Sequence, residues 1–245
     1  KHVAVFMTDY FPRATKAQGA WMSELNAAYD FGGKSERPII YNVASLTPPT
    51  KDAPSLLTLD EVETVFHEFG HALNGMLTRA PYKGLEGTNI DRDMVEQPSQ
   101  MNENFALVPE VLKNYAKNYK TGEVIPQNLV DKIIETSKFN QGFMTTELVG
   151  AALLDIEWHK LDFAKDIDVK AFENWVSRRL GKPEVVEYRY RSPYFKHIFD
   201  NDQYSCGYYT YLWSQVLEAD AWQRFVEEGP MNVKTAQDYL KYILS

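Results

Sequence analysis

His67-Glu68-Phe69-Gly70-His71 stands in a segment that opens with Thr58-Leu59-Asp60-Glu61 and runs on to Leu77. Thr58 with Glu61 three residues later has the form of a capping box, so a helix is expected to start there. Along that helix Val62, Val65, Phe66, Phe69, Leu73 and Met76 form an apolar stripe, while His67, His71 and Asn74 fall on a different side. Residues four apart on a helix lie about 40° apart around its axis, so both imidazoles can point at one metal ion with Glu68 beside them. The HExxH spacing thus supplies two ligands and a general base, the parts that metal-assisted hydrolysis needs. Two histidines satisfied by core hydrogen bonds are the structural alternative.

A catalytic zinc takes three protein ligands and keeps a fourth position for water. The extended HExxHxxGxxH pattern would need glycine at 74 and histidine at 77, where this chain has Asn74 and Leu77, so the third ligand must come from elsewhere. Pro98 is tolerated only in the first turn of a helix, which predicts a helix start between Met94 and Gln97. Glu96 then sits in that turn and can present a carboxylate to the metal. Glu103, seven residues on and on the same helical face, competes for the role, and spacing prefers Glu96 without closing the alternative. Asp91, Asp93 and Glu103 are candidates to orient the imidazole N–H groups from behind.

Around this centre the pattern is mostly helical. Val3 to Met7 and Ile39 to Val43 read as strands of a small sheet, with a short helical pattern from Ala20 to Tyr29 between them. Pro81, Gly84 and Gly87 break the main helix and predict an exposed glycine-containing loop. Asn128 to Phe139, Thr145 to Leu161, Asp168 to Leu180 and Tyr208 to Val226 carry apolar residues at helical spacing. No repeat, low-complexity tract or linker divides the chain, which is read as one unit, 1–245. Both ends read as cut: Lys1 leads straight into a strand, and Ser245 follows a helical pattern with no stop signal, so a piece of a longer protein is expected.

Composition narrows the function. The 245 residues are 44% hydrophobic, enough for a substantial core. A net charge of −8 provides no basic patch for nucleic acid or an anionic membrane. The longest apolar run, Leu148 to Leu154, is far short of the ~20 residues of a membrane-spanning helix. The single cysteine, Cys206, cannot form an internal disulfide, which is compatible with a reducing compartment and leaves localisation open.

The run HEFGHALNGML, followed by GTNIDRDMVEQPSQMNEN from Gly87, resembles the thimet oligopeptidase family of zinc metallopeptidases, which includes oligopeptidase A and the dipeptidyl carboxypeptidases. The likeness extends to Ala20-Trp21-Met22-Ser23, to Phe139-Asn140-Gln141-Gly142-Phe143, to Leu153-Leu154-Asp155 with Trp158-His159, and to Tyr208-Tyr209-Thr210-Tyr211-Leu212-Trp213. It implies a mainly α fold with a small β-sheet, a zincin-like metallopeptidase catalytic region whose one Zn2+ is held by His67, His71 and Glu96, with Glu103 in support. It also implies a missing N-terminal lobe, which would form the opposite wall of a substrate channel.

Seven of the 15 tyrosines fall between Tyr188 and Tyr211, and on a helix Tyr204, Tyr208 and Tyr211 would share one face. Core packing is the ordinary reason for such a stripe. In the family, tyrosines of this segment and a histidine just before it contact substrate and stabilise the oxyanion, which implies catalytic roles for Tyr211 and His197 beside Glu68. Tyr204, Tyr208 and Gly87 are the expected substrate contacts. Where family members carry a glycine-rich loop, this chain has Asp200-Asn201-Asp202-Gln203. His2 and His159 match nothing catalytic. The expected function is zinc-dependent hydrolysis of short unstructured peptides by release of C-terminal dipeptides, favoured by the segments Tyr119 to Pro126 and Phe139 to Gly142. An endo-acting oligopeptidase and a catalytically silent zinc-binding fragment are the alternatives.

Overall fold

The computed structural model describes residues 2–82, 84–162 and 166–245. It is mainly α with a small β-sheet, as expected. The sheet has the order β1 (Val5–Asp9), β5 (Ile39–Val43), β2 (Trp21–Asn26), with β1 parallel and β2 antiparallel to the central strand. β3 (Tyr29–Phe31) and β4 (Lys34–Glu36) form a separate hairpin, whose Gly32 and Gly33 both take positive φ, as the tight primed turn requires.

The helical expectation for Ala20 to Tyr29 is therefore wrong: Trp21–Asn26 is a strand. Its pairing partner, β5, is distant in sequence, and this non-local ladder outweighs a weak local periodicity. The side chains alternate accordingly, so Met22 and its cross-strand partner Asn42 share a face with Ile40, the face turned to the first helix.

That helix, α1 (Leu59–Leu77), begins at the predicted capping box. Thr58 accepts from the Glu61 N–H, and the Glu61 carboxylate accepts from the Thr58 N–H at 2.8 Å. Glu61 also accepts from the N–H and hydroxyl of Thr47, at 2.6 and 2.8 Å, tying the helix start to the strand exit. The apolar stripe is only half-buried, whereas Glu68, His71 and Asn74 on the polar side are buried. The reason is that α1 is covered twice. Phe6 and Ile40 of the sheet meet it at Phe69 and Gly75, and α3 (Gln97–Glu103), which follows the single turn α2 (Arg92–Val95), lies along the other side.

Glycines set both approaches. A Cβ on Gly70 would lie 2.5 Å from the Pro98 carbonyl oxygen and 2.6 Å from Ser99 Cα, and one on Gly75 would meet Ile40 Cδ1 at 3.0 Å. Each mid-helix glycine costs about 1 kcal/mol relative to alanine. Here the missing methyl lets a second backbone come into contact. Asn102 of α3 then donates to the Phe66 carbonyl of α1 at 2.6 Å.

The remaining helices are α4 (Pro109–Tyr115), α5 (Gln127–Thr136), α6 (Gln141–His159), α7 (Val169–Leu180), the short α8 (Lys196–Phe199), α9 (Thr210–Glu228) and α10 (Val233–Tyr239). α7 has the predicted ends: Asp168 caps it by accepting from the Ala171 N–H, and Gly181 closes it at φ 65°. Although no linker is visible in the sequence, contacts divide the chain into two compact units. One runs as far as Ile125 and resumes at Ser214–Ser245, and the other is Pro126–Trp213. The second unit is inserted into the first, and its later boundary falls inside α9, which is why no Gly/Pro-rich joint marks it.

Gly70→Ala is expected to destabilise the chain by about 1–3 kcal/mol, because the clashing atoms are backbone and α3 must move. Urea denaturation checks this. Alanine's higher helix propensity would dominate if the two helices were not in contact, and stability would then rise.

Candidate functional site

Three donor atoms converge where α1 meets the α2–α3 junction. His67 and His71 project from successive turns of α1, with ring centroids 5.0 Å apart and planes at 84°. Glu96, the residue joining α2 to α3, is 1% exposed, and its Oε2 lies 3.3 Å from His67 Nε2 and 3.1 Å from His71 Nε2. The ligand atoms of these residues all lie within 4.8 Å of one another. A tetrahedral site with arms of ~2.0–2.1 Å has edges of roughly 3.3–3.4 Å, so the two imidazole–carboxylate separations match the edges of such a site. Among the described residues this is the group of histidine and acidic side chains close enough to hold a metal ion.

The surrounding hydrogen bonds hold these groups in ligand-like orientations. His67 Nδ1 lies 2.6 Å from Glu103 Oε1, which turns Nε2 towards Glu96. Glu103 thus takes the expected supporting place. Ser99 donates to the Glu96 carbonyl at 2.8 Å and to its Oε2 at 3.1 Å. Asp93 belongs to the frame through its main chain, whose carbonyl accepts from Ser214 Oγ at 2.7 Å, and Asp91 stands exposed at the N-cap position of α2 without a side-chain capping bond. Neither orients His71, whose Nδ1 is buried with no hydrogen-bond partner among the described residues.

The electrostatics suit this use. Burial works to lower the His67 imidazole, but Glu103 and Glu96 overcome it and push its pKa up to about 10. Burial works to raise Glu96, and the two histidines hold it well below the usual carboxylate range. The site thus keeps an anionic carboxylate facing the two imidazoles. Glu68 differs: it is 6% exposed, burial pushes its carboxyl up, and its Oε2 has no hydrogen-bond partner among the described residues. A raised carboxyl beside a metal-type centre has the character of a proton acceptor that can also give the proton back.

Gly87 departs from expectation. The loop is exposed at Tyr82, Gly84 and Leu85, but Gly87 is buried at φ 55°, and a Cβ there would meet Gly75 Cα at 3.1 Å. Its carbonyl accepts from Asn74 Nδ2 at 2.9 Å, so α1 itself pulls this part of the loop inward.

In the other unit the expected phenols do gather. Tyr204 and Tyr211 stack with centroids 5.6 Å apart and planes at 5°, and His197 lies 6.0 Å from Tyr204, 5.6 Å from Tyr208 and 6.3 Å from Tyr211. They do not form a helical stripe, because α9 begins only at Thr210. Turns carry Tyr204 and Tyr208 into place instead. Tyr208 is buried at 3% in a core with Ala151, Phe195 and Ile198, while Tyr204 and Tyr211 are half-buried at its edge. His159 lies against Asp155, and His2 is exposed beside Arg37. Gly70, Ser99 and Asn102 are the participants that sequence reasoning missed. A glycine inside the motif and a serine three residues after the ligand were the available signals.

The chain is similar along nearly its whole length to known peptidases. The chain is 41% identical over 246 residues to dipeptidyl carboxypeptidase of Escherichia coli K12 and 42% identical to that of Salmonella typhimurium LT2, covering 99% of this chain and 36% of each relative. It is 36% identical over 244 residues to oligopeptidase A of Escherichia coli K12, covering 98% of this chain and again 36% of the relative. The chain thus spans about a third of the length of these proteins. Its residues 1–245 match Peptidase family M3 throughout, and the chain belongs to that family.

Proposed function

We propose that residues 1–245 are the catalytic region of a longer zinc peptidase that releases dipeptides from the C-termini of short unstructured peptides. The observation that carries this reading is the convergence of His67, His71 and Glu96 with Glu68 buried beside them. The donor set of two imidazoles and one carboxylate is that of a catalytic zinc site. Zinc, when bound, supplies a Lewis acid that polarises the scissile carbonyl and lowers the pKa of water towards ~7.

The chain's own residues do the rest. Glu68 takes a proton from the attacking water as its oxygen adds to the scissile carbonyl carbon, then returns that proton to the leaving amine as the C–N bond breaks. Burial raises its carboxyl above the usual carboxylate range, which favours its holding the proton between the two transfers. Glu103 holds His67 in the tautomer that leaves Nε2 for the metal. On the family resemblance, Tyr211 donates a hydrogen bond to the developing oxyanion, and His197 and Tyr204 hold the peptide. Tyr208, being buried, supports the two outer rings from beneath. Gly87, pinned to α1, shapes the loop that meets the peptide.

Dipeptide release is preferred because the relatives at 41–42% identity carry that name. Internal cleavage is the second reading, favoured by the 36% identity to oligopeptidase A. The partner proposed for this region is the N-terminal lobe of the same protein. Among the described residues no helix is long and apolar enough to cross a membrane.

The expected products, read by mass spectrometry after zinc addition, are dipeptides from a peptide with a free C-terminus and none from its amidated twin. Internal cuts in both would replace the subclass, and no cleavage by zinc-loaded protein would leave a silent zinc-binding fragment. Glu68→Gln should keep zinc and lose roughly 100- to 10,000-fold in turnover; a variant near the parent rate would refute the base. Tyr211→Phe should keep zinc and lose about 100-fold or more in kcat, and an unchanged kcat would remove it from the chemistry.

A further inference from the structure

Asp155 of α6 is fully buried, yet its carboxylate is directed at a segment remote in sequence. Oδ1 accepts from the Cys206 N–H and Oδ2 from the Tyr208 N–H, both at 3.0 Å. Cys206 has φ 58°, a left-handed conformation that costs a non-glycine residue energy. Backbone N–H groups around such a residue converge into a small anion-binding nest, and here an internal carboxylate fills it. His159, one turn along α6, reaches the same Oδ1 with its Nδ1 at 2.8 Å. The turn so held is tight: the Gly207 N–H donates to the Tyr204 carbonyl at 2.8 Å, and a Cβ on Gly207 would lie 3.2 Å from Tyr204 Cα. Tyr204 enters this turn and Tyr211 opens α9 just after it, so its shape sets the stacking of those two rings.

We propose that Asp155 is a positioning residue: by clamping the Cys206–Tyr208 turn in its left-handed form, it sets where Tyr204 and Tyr211 are presented. Two charge-assisted bonds to one buried carboxylate make the clamp stiff, and His159 fixes the carboxylate in turn. Nothing in the resemblance assigned a role to either residue. The effect on rate rests on the proposed function of Tyr211; the clamp itself does not.

Asp155→Asn tests this, because an amide of the same shape places an NH2 against one of the two backbone donors. Hydrogen exchange of the zinc-loaded protein should speed up at the Cys206 and Tyr208 amides by roughly 10- to 100-fold, with zinc content unchanged. Turnover of the peptide should fall on the order of 10-fold in kcat, and KM should rise because Tyr204 is displaced as well. The double variant with Tyr211→Phe should have a kcat no lower than Tyr211→Phe alone, since the kcat loss in both passes through the Tyr211 hydroxyl. Unchanged exchange at the two amides, or kcat losses that multiply, would overturn the inference. Should Tyr211→Phe alone prove silent, the role of Tyr211 fails and the exchange result decides the clamp. If Asp155→Asn does not fold, His159→Gln, which leaves the carboxylate but removes its holder, should speed exchange at the same two amides by a smaller factor, and no change there would count against the proposal.

Discussion

The contact between α1 and the start of α3 at Gly70 is the constraint from which the site follows. With no Cβ at that position, the backbone of Pro98 and Ser99 can rest on the helix carrying both histidines. Only at that separation does Glu96 reach His67 and His71 together. The approach is secured on either side, by Asn102 bonding the Phe66 carbonyl and by Glu103 bonding His67. Gly75 performs the same service on the other face, where Ile40 and the Gly87 loop come in. Two residues that weaken a helix in isolation therefore allow it to be enclosed.

Enclosure explains why the buried side of α1 is its polar side. A carboxylate taken out of water is tolerated where opposite charge and donors compensate for the lost hydration. Glu96 has two imidazoles and the Ser99 hydroxyl. The inserted unit uses the same device. Asp155 organises the tyrosine turn, and Glu173 accepts from Ser192 and Arg191 at 2.6–2.8 Å, fixing the chain ahead of His197. Buried acids thus organise backbone and side chains in both units, one set gathering ligands and the other gathering phenols.

What was legible in the sequence is what local chemistry determines. The capping box of Thr58 and Glu61, the strand Ile39–Val43, the Asp168 and Gly181 ends of α7 and the helical pairing of His67 with His71 all depend on neighbours a few residues away. Spacing favoured Glu96 over Glu103 as the ligand without closing the alternative, because their roles differ only in which nitrogen of which histidine they face. Trp21–Asn26 was misread since its partner strand is supplied by the fold. The tyrosines were expected on one helix and instead meet through a turn held by Asp155, whose partners lie some 50 residues away. The inserted unit was invisible for a related reason, as α9 carries the chain through its boundary without a break.

Zinc K-edge X-ray absorption of the zinc-loaded chain tests the central claim most directly, because it reports the atoms around the metal without reference to turnover. The account predicts one zinc per chain with two imidazole nitrogens and a carboxylate oxygen at ~2.0–2.2 Å, and loss of one light-atom ligand in Glu96→Ala. A sulfur at ~2.3 Å from Cys206, or a spectrum unaltered by that substitution, would contradict it.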